Sequence, residues 1–335
     1  MGTNETILKR TQAAIETTRG TALAATRKIY AQVESSYDRP LASFTDMSGT
    51  FDGRRRAMYG REQIGFNITD IATYEDLPWW LLLGVKGGVT GTADGGSPIA
   101  YTRAFTGTAS ADDLATATFE HGEPGNVYTT TQVIANTWTL RGDADSDDEP
   151  SWMFEAELLG RDWAAGSYTP SILERDTNPI VTRGGQVFVH DTTIGSGLVT
   201  GKMISFSLTA NNNVHLKAFM EDVSGYSAGK VGRGERLYDA QFVMEFDSDT
   251  EFAKYRSLVP AKRYVRVDRV GEEIHAGATP ASQRARLDMN GYWSSIAFGD
   301  REGNMTATFG LAAFTDPTSG YALSASVVND LATLP

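Results

Sequence analysis

The side chains that could carry out catalysis or hold a metal ion are scattered along this chain. Its four histidines have no second histidine or carboxylate at the spacing of a zinc motif; they are His121, His190, His215 and His275. Asp191 directly follows His190, but a partly exposed strand end explains this pair better than a metal site. The chain contains no cysteine, which excludes disulfides, thiolate metal sites and cysteine nucleophiles.

An acidic segment at residues 143–149 superficially resembles a calcium-binding loop. Its acidic residues are Asp143, Asp145, Asp147, Asp148 and Glu149. The segment lacks the glycine at the sixth position and the glutamate at the twelfth that such a loop requires. We therefore interpret it as a solvated tip between two strands.

Glycine-rich segments occur at residues 84–96 and 225–234, and neither fits a nucleotide-binding motif. There is no GxxxxGK[ST] sequence, and no GxGxxG lies between a strand and a helix. The GxSxG turn of serine hydrolases is also missing from the sequence. The sequence therefore predicts a protein that is not an enzyme and binds no cofactor.

Basic residues cluster in two glycine-rich stretches of an otherwise acidic chain, which has a formal net charge of −12. These candidate interface residues are Arg54, Arg55, Arg56, Arg61, Lys230 and Arg233. An acidic surface repels phosphate, so tight DNA binding by the whole protein is not expected. We expect the basic residues to contact acidic surfaces between subunits.

A sequence pattern occurs twice, in residues 63–85 and again in residues 237–259. Each copy predicts a strand with apolar residues at every second position, then an acidic corner and a short helix. In the first copy the helix is predicted at residues 77–83, with Pro78 in its first turn. In the second copy Asp239 and Glu245 alternate with the apolar residues of the strand, and Val259 is expected on the helix. Each copy follows a long loop, at residues 38–60 and 211–234. A structureless loop of that length inside a compact domain is uncommon and usually functional. The repeat indicates an internal duplication.

The composition favours an all-β fold of many short strands and turns. The chain has 335 residues, of which 41% are hydrophobic and 21% charged, with 34 glycines. We predict an N-terminal arm at residues 1–28, a first domain at 29–165, a linker at 166–185 and a second domain at 186–335. Each domain is expected to carry one short flanking helix and one long inter-strand loop. The six tryptophans are expected in the core or at interfaces.

The sequence predicts no membrane insertion by this chain. No run of 18 apolar residues occurs, and the N-terminal residues lack the apolar segment of a signal peptide. Synthesis in the cytoplasm of the producing cell is therefore expected.

Several passages resemble the tail tube proteins of long-tailed, siphovirus-like bacteriophages. They are ETTRGTALAATRKI near the N-terminus, TATFEHGEPGNVYTTTQVIANTWTLRGD followed by WMFEAELLGRDW, ERLYDAQFVMEFDSDTEFAKYRSLV, and AFGDREGNMTATFGLAAFTDPTSGYALSASVVNDL. Together these passages cover most of the chain. They are strand patterns rather than catalytic signatures.

The resemblance implies two tandem tail-tube-like β-sandwich domains. Rings of six such domains close through shared sheets, and the long loop reaches the next ring. A chain with two fused domains is then expected to form trimeric rings with pseudo-six-fold symmetry in a virion. Implied partners are further copies of the chain and the tail terminator, tape measure and tail-tip proteins. DNA would pass through an acidic lumen without specific binding. Candidate acidic residues of that lumen, or of a loop, are Asp143, Asp145, Asp147, Asp148 and Glu149.

Two alternatives remain open from the residues. One is a soluble pair of β-sandwich binding modules, for instance for carbohydrate, that uses exposed tryptophan and tyrosine. The other is the tube protein of a contractile injection or secretion machine, which has a similar tube domain. The sequence does not choose between a contractile and a non-contractile tail, and it does not identify the residues that face a lumen.

Overall fold

A computed structural model describes residues 9–45, 54–107, 114–217, 219–220, 230–276, 280–301 and 303–334. Strands make up 57% of the structure and helices 5%, which confirms the predicted all-β class. Every strand pair among the described residues is antiparallel. Antiparallel sheets commonly have one face on the core and one in solvent, which matches the alternating sequence pattern.

The elements follow one another in chain order as β1 (Arg10–Ile15), β2 (Arg27–Ile29), β3 (Gln32–Asp38), β4 (Leu41–Thr45), β5 (Arg54–Tyr59), β6 (Gln63–Ile71), α1 (Leu77–Gly84), β7 (Thr92–Ala93), β8 (Tyr101–Thr106), β9 (Ala117–Glu123), β10 (Asn126–Asp143), β11 (Met153–Ala165), β12 (Gln186–His190), β13 (Met203–Asn211), β14 (Val214–Lys217), β15 (Lys230–Arg233), β16 (Leu237–Glu245), α2 (Thr250–Tyr255), β17 (Lys262–His275), β18 (Ala281–Arg301), β19 (Asn304–Ala313) and β20 (Leu323–Asn329).

Eight of these strands form one continuous antiparallel path, which we call the eight-strand sheet. Its order is β3-β6-β11-β10-β13-β16-β19-β18. The pattern predicted for β16 is confirmed, because its alternate residues Tyr238, Ala240, Phe242 and Met244 are buried. Ile64, Phe66 and Ile68 of β6 are buried in the same way. One face of the sheet therefore covers the core, and the other is exposed.

The N-terminal halves of the two long strands β10 and β18 also pair with strands outside the eight-strand sheet. These partners are β9 for β10 and β17 for β18. Among the register shifts of these strands, one leaves Asn136 of β10 as an extra residue opposite β11, and another leaves Ser294 of β18 as an extra residue opposite β19. A single extra residue of this kind is a β-bulge, which bends a strand.

Alternation in the sequence predicts Ile134, Asn136, Trp138 and Leu140 as the buried series of β10, and the bulge partly overturns this prediction. Ile134, Trp138 and Leu140 are buried as expected, but Val133 and Ala135 are buried too, and Asn136 is half-exposed. A strict period of two fails here because the extra residue shifts the alternation.

The order of strand pairing occurs twice in the chain. The first half contains the path β9-β10-β11-β6-β3, and the second contains β17-β18-β19-β16-β13. One helix follows β6 and the other follows β16. The bulges occupy corresponding positions in the two paths. One hydrophobic cluster nevertheless includes residues of both halves, so their cores are continuous.

The expectation of structureless loops at 38–60 and 211–234 is wrong for the described residues. Strands β4 and β5 form a hairpin, which we call arm 1, and β14 and β15 form a second hairpin, arm 2. Both hairpin bases are closed by the same bond: Gly60 N–H donates to the Pro40 carbonyl at 2.7 Å, and Gly234 N–H donates to the Asn213 carbonyl at 2.9 Å. Main-chain pairing across the hairpin satisfies backbone groups that an irregular loop would leave to water.

The predicted helices differ in their surroundings. Helix α1 begins at Leu77, as expected, with Pro78 in its first turn, and all its residues are buried. Helix α2 ends at Tyr255, so Val259, which was expected on it, lies beyond it and is 75% exposed. The segment expected to be an N-terminal arm contains β1, which pairs with β9 and buries its residues 11–14.

Candidate assembly site

The two halves of the chain meet where β10 pairs with β13, and we call this pairing the joint. Residues 137–143 pair with residues 205–211 in one uninterrupted register. The Oγ1 atoms of Thr139 and Thr209 lie 3.0 Å apart on the exposed face of the joint. Trp138, Leu140 and Leu208 lie on its opposite face and are buried. The joint is thus a main-chain ladder with a hydrophobic side.

The bulge residue Asn136 anchors the start of arm 2 beside the joint. Its carbonyl accepts the Asn212 N–H at 2.8 Å, and its Oδ1 accepts the Val214 N–H at 2.9 Å. The Asn212 side chain donates to the carbonyls of Gly84 and Ala135 at 2.9 and 3.1 Å. Asn136 therefore provides one backbone and one side-chain acceptor, which hold the base of the arm in place.

Arm 2 also has an apolar contact with the first half of the chain. Val214 is 6% exposed and packs with Leu114 and Ile134, and Leu159 and Val231 pack against this cluster. The contact is small but separate from the main core, as expected for a loop seated on a sheet. We call the group of Leu114, Ile134 and Leu159 the arm 2 seat.

Both ends of the eight-strand sheet are open edges in the described part of the chain. Strand β3 pairs only with β6, which leaves its second edge without a partner strand. Strand β18 pairs with β19 over residues 291–301, while β17 covers its other edge only as far as Tyr292. Residues 293–301 therefore present a second open edge. Unpaired edges are templates for pairing with another chain.

The exposed face of the eight-strand sheet is polar and carries acidic side chains on both halves. They are Glu34, Glu155, Glu157, Asp239 and Glu245. Alternation in the sequence had already placed Asp239 and Glu245 opposite the core residues of β16. The other three went unrecognised because the pairing that brings them onto one face is not local in sequence.

The acidic residues selected from sequence lie at the tip between β10 and β11, where arginines bind most of them. Asp143 and Asp145 bind Arg301, at 3.2 and 3.0 Å. Asp147 lies 3.4 Å from Arg183, and Glu149 binds Arg141. Asp148 is exposed. Arginines thus partly neutralise this tip, and Arg141 also lies 3.1 Å from Glu155 of the sheet face.

The basic residues selected from sequence lie in the two arms. Arg54 and Arg56 are exposed on β5, and Arg233 is exposed on β15. The side chains of Arg55 and Lys230 lie outside what the structure describes. Arg61, at the base of arm 1, donates to the Leu216 carbonyl of arm 2 at 2.5 Å. The structure thus places the two arms next to each other.

The histidine considered as a metal ligand has protein partners. His190 Nδ1 lies 3.2 and 3.1 Å from the main-chain N–H groups of Thr192 and Thr193. Asp191 binds Lys254 and Arg263. Among the described residues, no group of three or more histidine, aspartate or glutamate side chains is arranged to hold a metal ion.

A pair of carboxyl groups lies at the start of α1, next to a buried arginine. Asp76 binds both Arg27 and Arg175, the latter at 2.8 Å. Asp70 accepts a hydrogen bond from the Trp80 indole at 3.2 Å. Burial, followed by the nearby Asp76 charge, raises the pKa of Asp70 to about 6, against the lowering effects of Trp80 and Arg27. These groups fix α1, and Asp70 and Asp76 also line an open cavity of about 530 Å³.

Replacing Asp70 by asparagine should change how stability depends on pH. The folded chain holds a proton on Asp70 more tightly than the unfolded chain does, so stability falls as pH rises from about 4 to about 6. Asparagine removes this loss and can still accept the Trp80 hydrogen bond. We expect the variant to match the wild type near pH 4 and to be more stable by about 2 kcal/mol at pH 8. Urea unfolding at both pH values measures the difference, and equal stability at pH 8 would contradict it.

The comparisons with protein families and with curated proteins identify no relative of this chain. No protein-family model matches the chain, and the comparison with curated proteins finds no match. In the part of the chain that the structure describes, neither helix has the length and apolar character needed to cross a membrane.

Proposed function

We propose that this chain is the structural subunit of a bacteriophage tail tube. Copies of it form trimeric rings with pseudo-six-fold symmetry, and the rings stack into a conduit for DNA ejection. The protein is synthesised in the host cytoplasm and resides in the virion. It works by self-assembly and carries out no chemical reaction.

The observation that supports this proposal is the relation between the joint and the two open edges. In the repeated pairing order, β3 corresponds to β13 and β18 corresponds to β10. Strands β10 and β13 form the joint inside one chain. Their counterparts, β18 and β3, are open at the edges that correspond to those of the joint. A second copy can therefore add its β3 to the β18 edge of the first, which repeats the joint between chains. Such a head-to-tail contact closes into a ring when its rotation permits.

Ring closure would turn the eight-strand sheets into a barrel with a wide lumen. Three copies contribute eight strands each, which makes 24 strands. With strands about 4.8 Å apart and tilted by about 40°, such a barrel is roughly 45–50 Å across between backbones. Barrels of about 16–18 strands already enclose an aqueous channel. A 24-strand barrel has room for a DNA duplex.

The charge of the sheet supports its orientation toward the lumen. The apolar face of the sheet is already covered by the core, so the polar face is the one available to line a channel. Its acidic side chains, such as Glu34, Glu157 and Asp239, repel DNA phosphates and keep the DNA from binding the wall. The tail terminator, tape measure and tail-tip proteins would contact the ends and interior of this tube.

The carbohydrate-binding alternative has less support from the described surface. Five of the six tryptophans are buried, namely Trp79, Trp80, Trp138, Trp152 and Trp293, and Trp163 is half-buried. An exposed tryptophan platform for sugar rings is therefore missing from the described residues, whereas Tyr30, Tyr37 and Tyr59 are exposed. The tube of a contractile machine would use the same kind of joint.

Imaging the purified chain tests the proposal. Negative-stain microscopy at increasing protein concentration, with size-exclusion chromatography, should show hollow rings of three copies and short stacks of them. The acidic lumen predicts that excess duplex DNA does not co-elute with the rings at physiological salt. A chain that stays monomeric at every concentration, also with its tail partners, would overturn the proposal.

A further inference from the structure

The two arms correspond residue by residue, yet only one of them has a seat. Both hairpins close with the same base hydrogen bond, and their strand registers match, so Leu41 in arm 1 corresponds to Val214 in arm 2. Val214 is 6% exposed on the arm 2 seat, whereas Leu41 is 57% exposed. Arm 1 thus presents, in the single chain, an apolar residue whose counterpart is buried.

The second half of the chain contains a counterpart of the arm 2 seat. Counting from the bulges, Tyr292 corresponds to Ile134, and their strand partners Ala312 and Leu159 also correspond. Leu114 lies three residues before Ala117, which pairs with Val133. In the second half, Gly291 corresponds to Val133 and pairs with Arg263. Pro260 lies three residues before Arg263 and therefore corresponds to Leu114.

The surface around these counterparts is largely apolar and partly exposed, with Tyr292 and Ala312 half-exposed. Pro260 and the bulge residue Ser294 are both exposed. Val259 is 75% exposed, and Phe314, whose ring lies 5.4 Å from that of Tyr292, is 53% exposed. We call the group of Val259, Pro260, Tyr292, Ala312 and Phe314 the open seat. It adjoins the open edge at residues 293–301.

We propose that the open seat binds arm 1 of a second copy of this chain, with Leu41 of that copy packed on it. The inference rests on the proposed ring and assigns arm 1 a partner within the ring rather than in the next ring. Pairing of β3 with the β18 edge places Leu41 beside Ser294, just as pairing of β13 with β10 places Val214 beside Asn136. The Ser294 carbonyl and hydroxyl are the acceptors available to the incoming backbone, in the role that Asn136 has for arm 2.

Two substitutions in arm 1 test this contact. Leu41→Asp puts a charge on the face that would meet the seat. Met58→Asp is the matched control, because Met58 pairs with Ala42, points to the opposite face of the same hairpin and is 65% exposed. Both side chains are exposed in the free chain, so both variants should fold with the thermal midpoint of the wild type.

We expect Leu41→Asp to weaken ring formation about a hundredfold, as measured by the concentration at which rings appear in analytical ultracentrifugation. This factor corresponds to about 2.7 kcal/mol, the effect expected when a buried leucine contact is lost. Met58→Asp should form rings at the wild-type concentration. Measuring ring formation rather than tube length separates contacts within a ring from contacts between rings.

The remaining outcomes are decisive in different ways. If Leu41→Asp forms rings like the wild type but fails to stack them, Leu41 faces the next ring and the open seat is wrong, while the proposed function stands. If both variants form normal rings and tubes, arm 1 is not held by Leu41, and the inference again falls alone. If the wild type itself forms no rings, the proposed function and the inference fall together.

Discussion

Chains that carry both Ser36→Cys and Ala297→Cys should be linked covalently into trimers under mild oxidation. Ser36 pairs with Gly65, the third residue of the first sequence copy, and Thr209 pairs with Asp239, the third residue of the second. Ala297 lies three residues after the bulge Ser294, as Thr139 lies after Asn136. The two replaced residues are thus the counterparts of Thr209 and Thr139.

The expected cross-link is based on the geometry of the joint. The Thr139 and Thr209 hydroxyls lie 3.0 Å apart, so side chains at this register meet directly. Residues directly opposite each other have Cβ atoms about 4.5–5.5 Å apart, close to the separation that a disulfide needs. The natural chain has no cysteine, so every disulfide must involve the introduced residues. Denaturing gels without reductant should show dimers and trimers that disappear with reductant.

Three control variants make the cross-linking result specific. Each single cysteine variant should stay monomeric on the gel. Ser36→Cys combined with Phe298→Cys should cross-link poorly, because Phe298 is one residue away and faces the other side of the strand. Purified rings of the main double variant that yield no covalent product would contradict the register. Equal cross-linking by the Phe298 pair would contradict it too.

Replacing Asp76 by alanine should destabilise the chain by about 3–5 kcal/mol. Asp76 binds Arg27, whose side chain is 1% exposed and lies over the Trp79 ring at 4.9 Å. Burial lowers the pKa of Arg27 to about 10, so the guanidinium is still charged at neutral pH. Without Asp76 this buried charge and that of Arg175 lose their shared partner, and an uncompensated buried charge is costly.

Denaturant unfolding of purified Asp76→Ala monomer measures that loss. The control is Asp247→Ala, which removes an exposed ion pair with Lys202 and should leave the midpoint nearly unchanged. An Asp76→Ala variant as stable as the control would show that Arg27 finds another partner or water. The predicted ring contacts lie elsewhere, so this test concerns the fold alone.

The sequence predicted the strands and helices more reliably than it predicted which strands pair with each other. Alternating apolar residues identified β6 and β16, and Pro78 correctly marked the first turn of α1. The arms were misread as loops because Arg56, Ala57 and Met58 of β5 are all exposed, and an exposed hairpin has no alternating hydrophobic pattern that would reveal it.

Local sequence patterns did not reveal the assembly site, for a different reason. The open edge of β18 is defined by where β17 ends, and that of β3 by a second strand that it does not meet in the described part of the chain. Such edges depend on long-range pairing, which sequence periodicity does not encode. The duplication was readable from the sequence, but its bulges, Asn136 and Ser294, became visible only through register shifts.

The continuous chain between the two halves has a kinetic consequence for assembly. The β10–β13 joint forms within one polypeptide, so its two strands meet at a high effective concentration and need no encounter between molecules. In a closed ring, joints within a chain alternate with joints between chains. Only the joints between chains cost the molecules translational and rotational freedom. A tube built from such chains would nucleate at lower protein concentration than one built from separate halves, and its partly assembled rings would contain fewer kinds of intermediate.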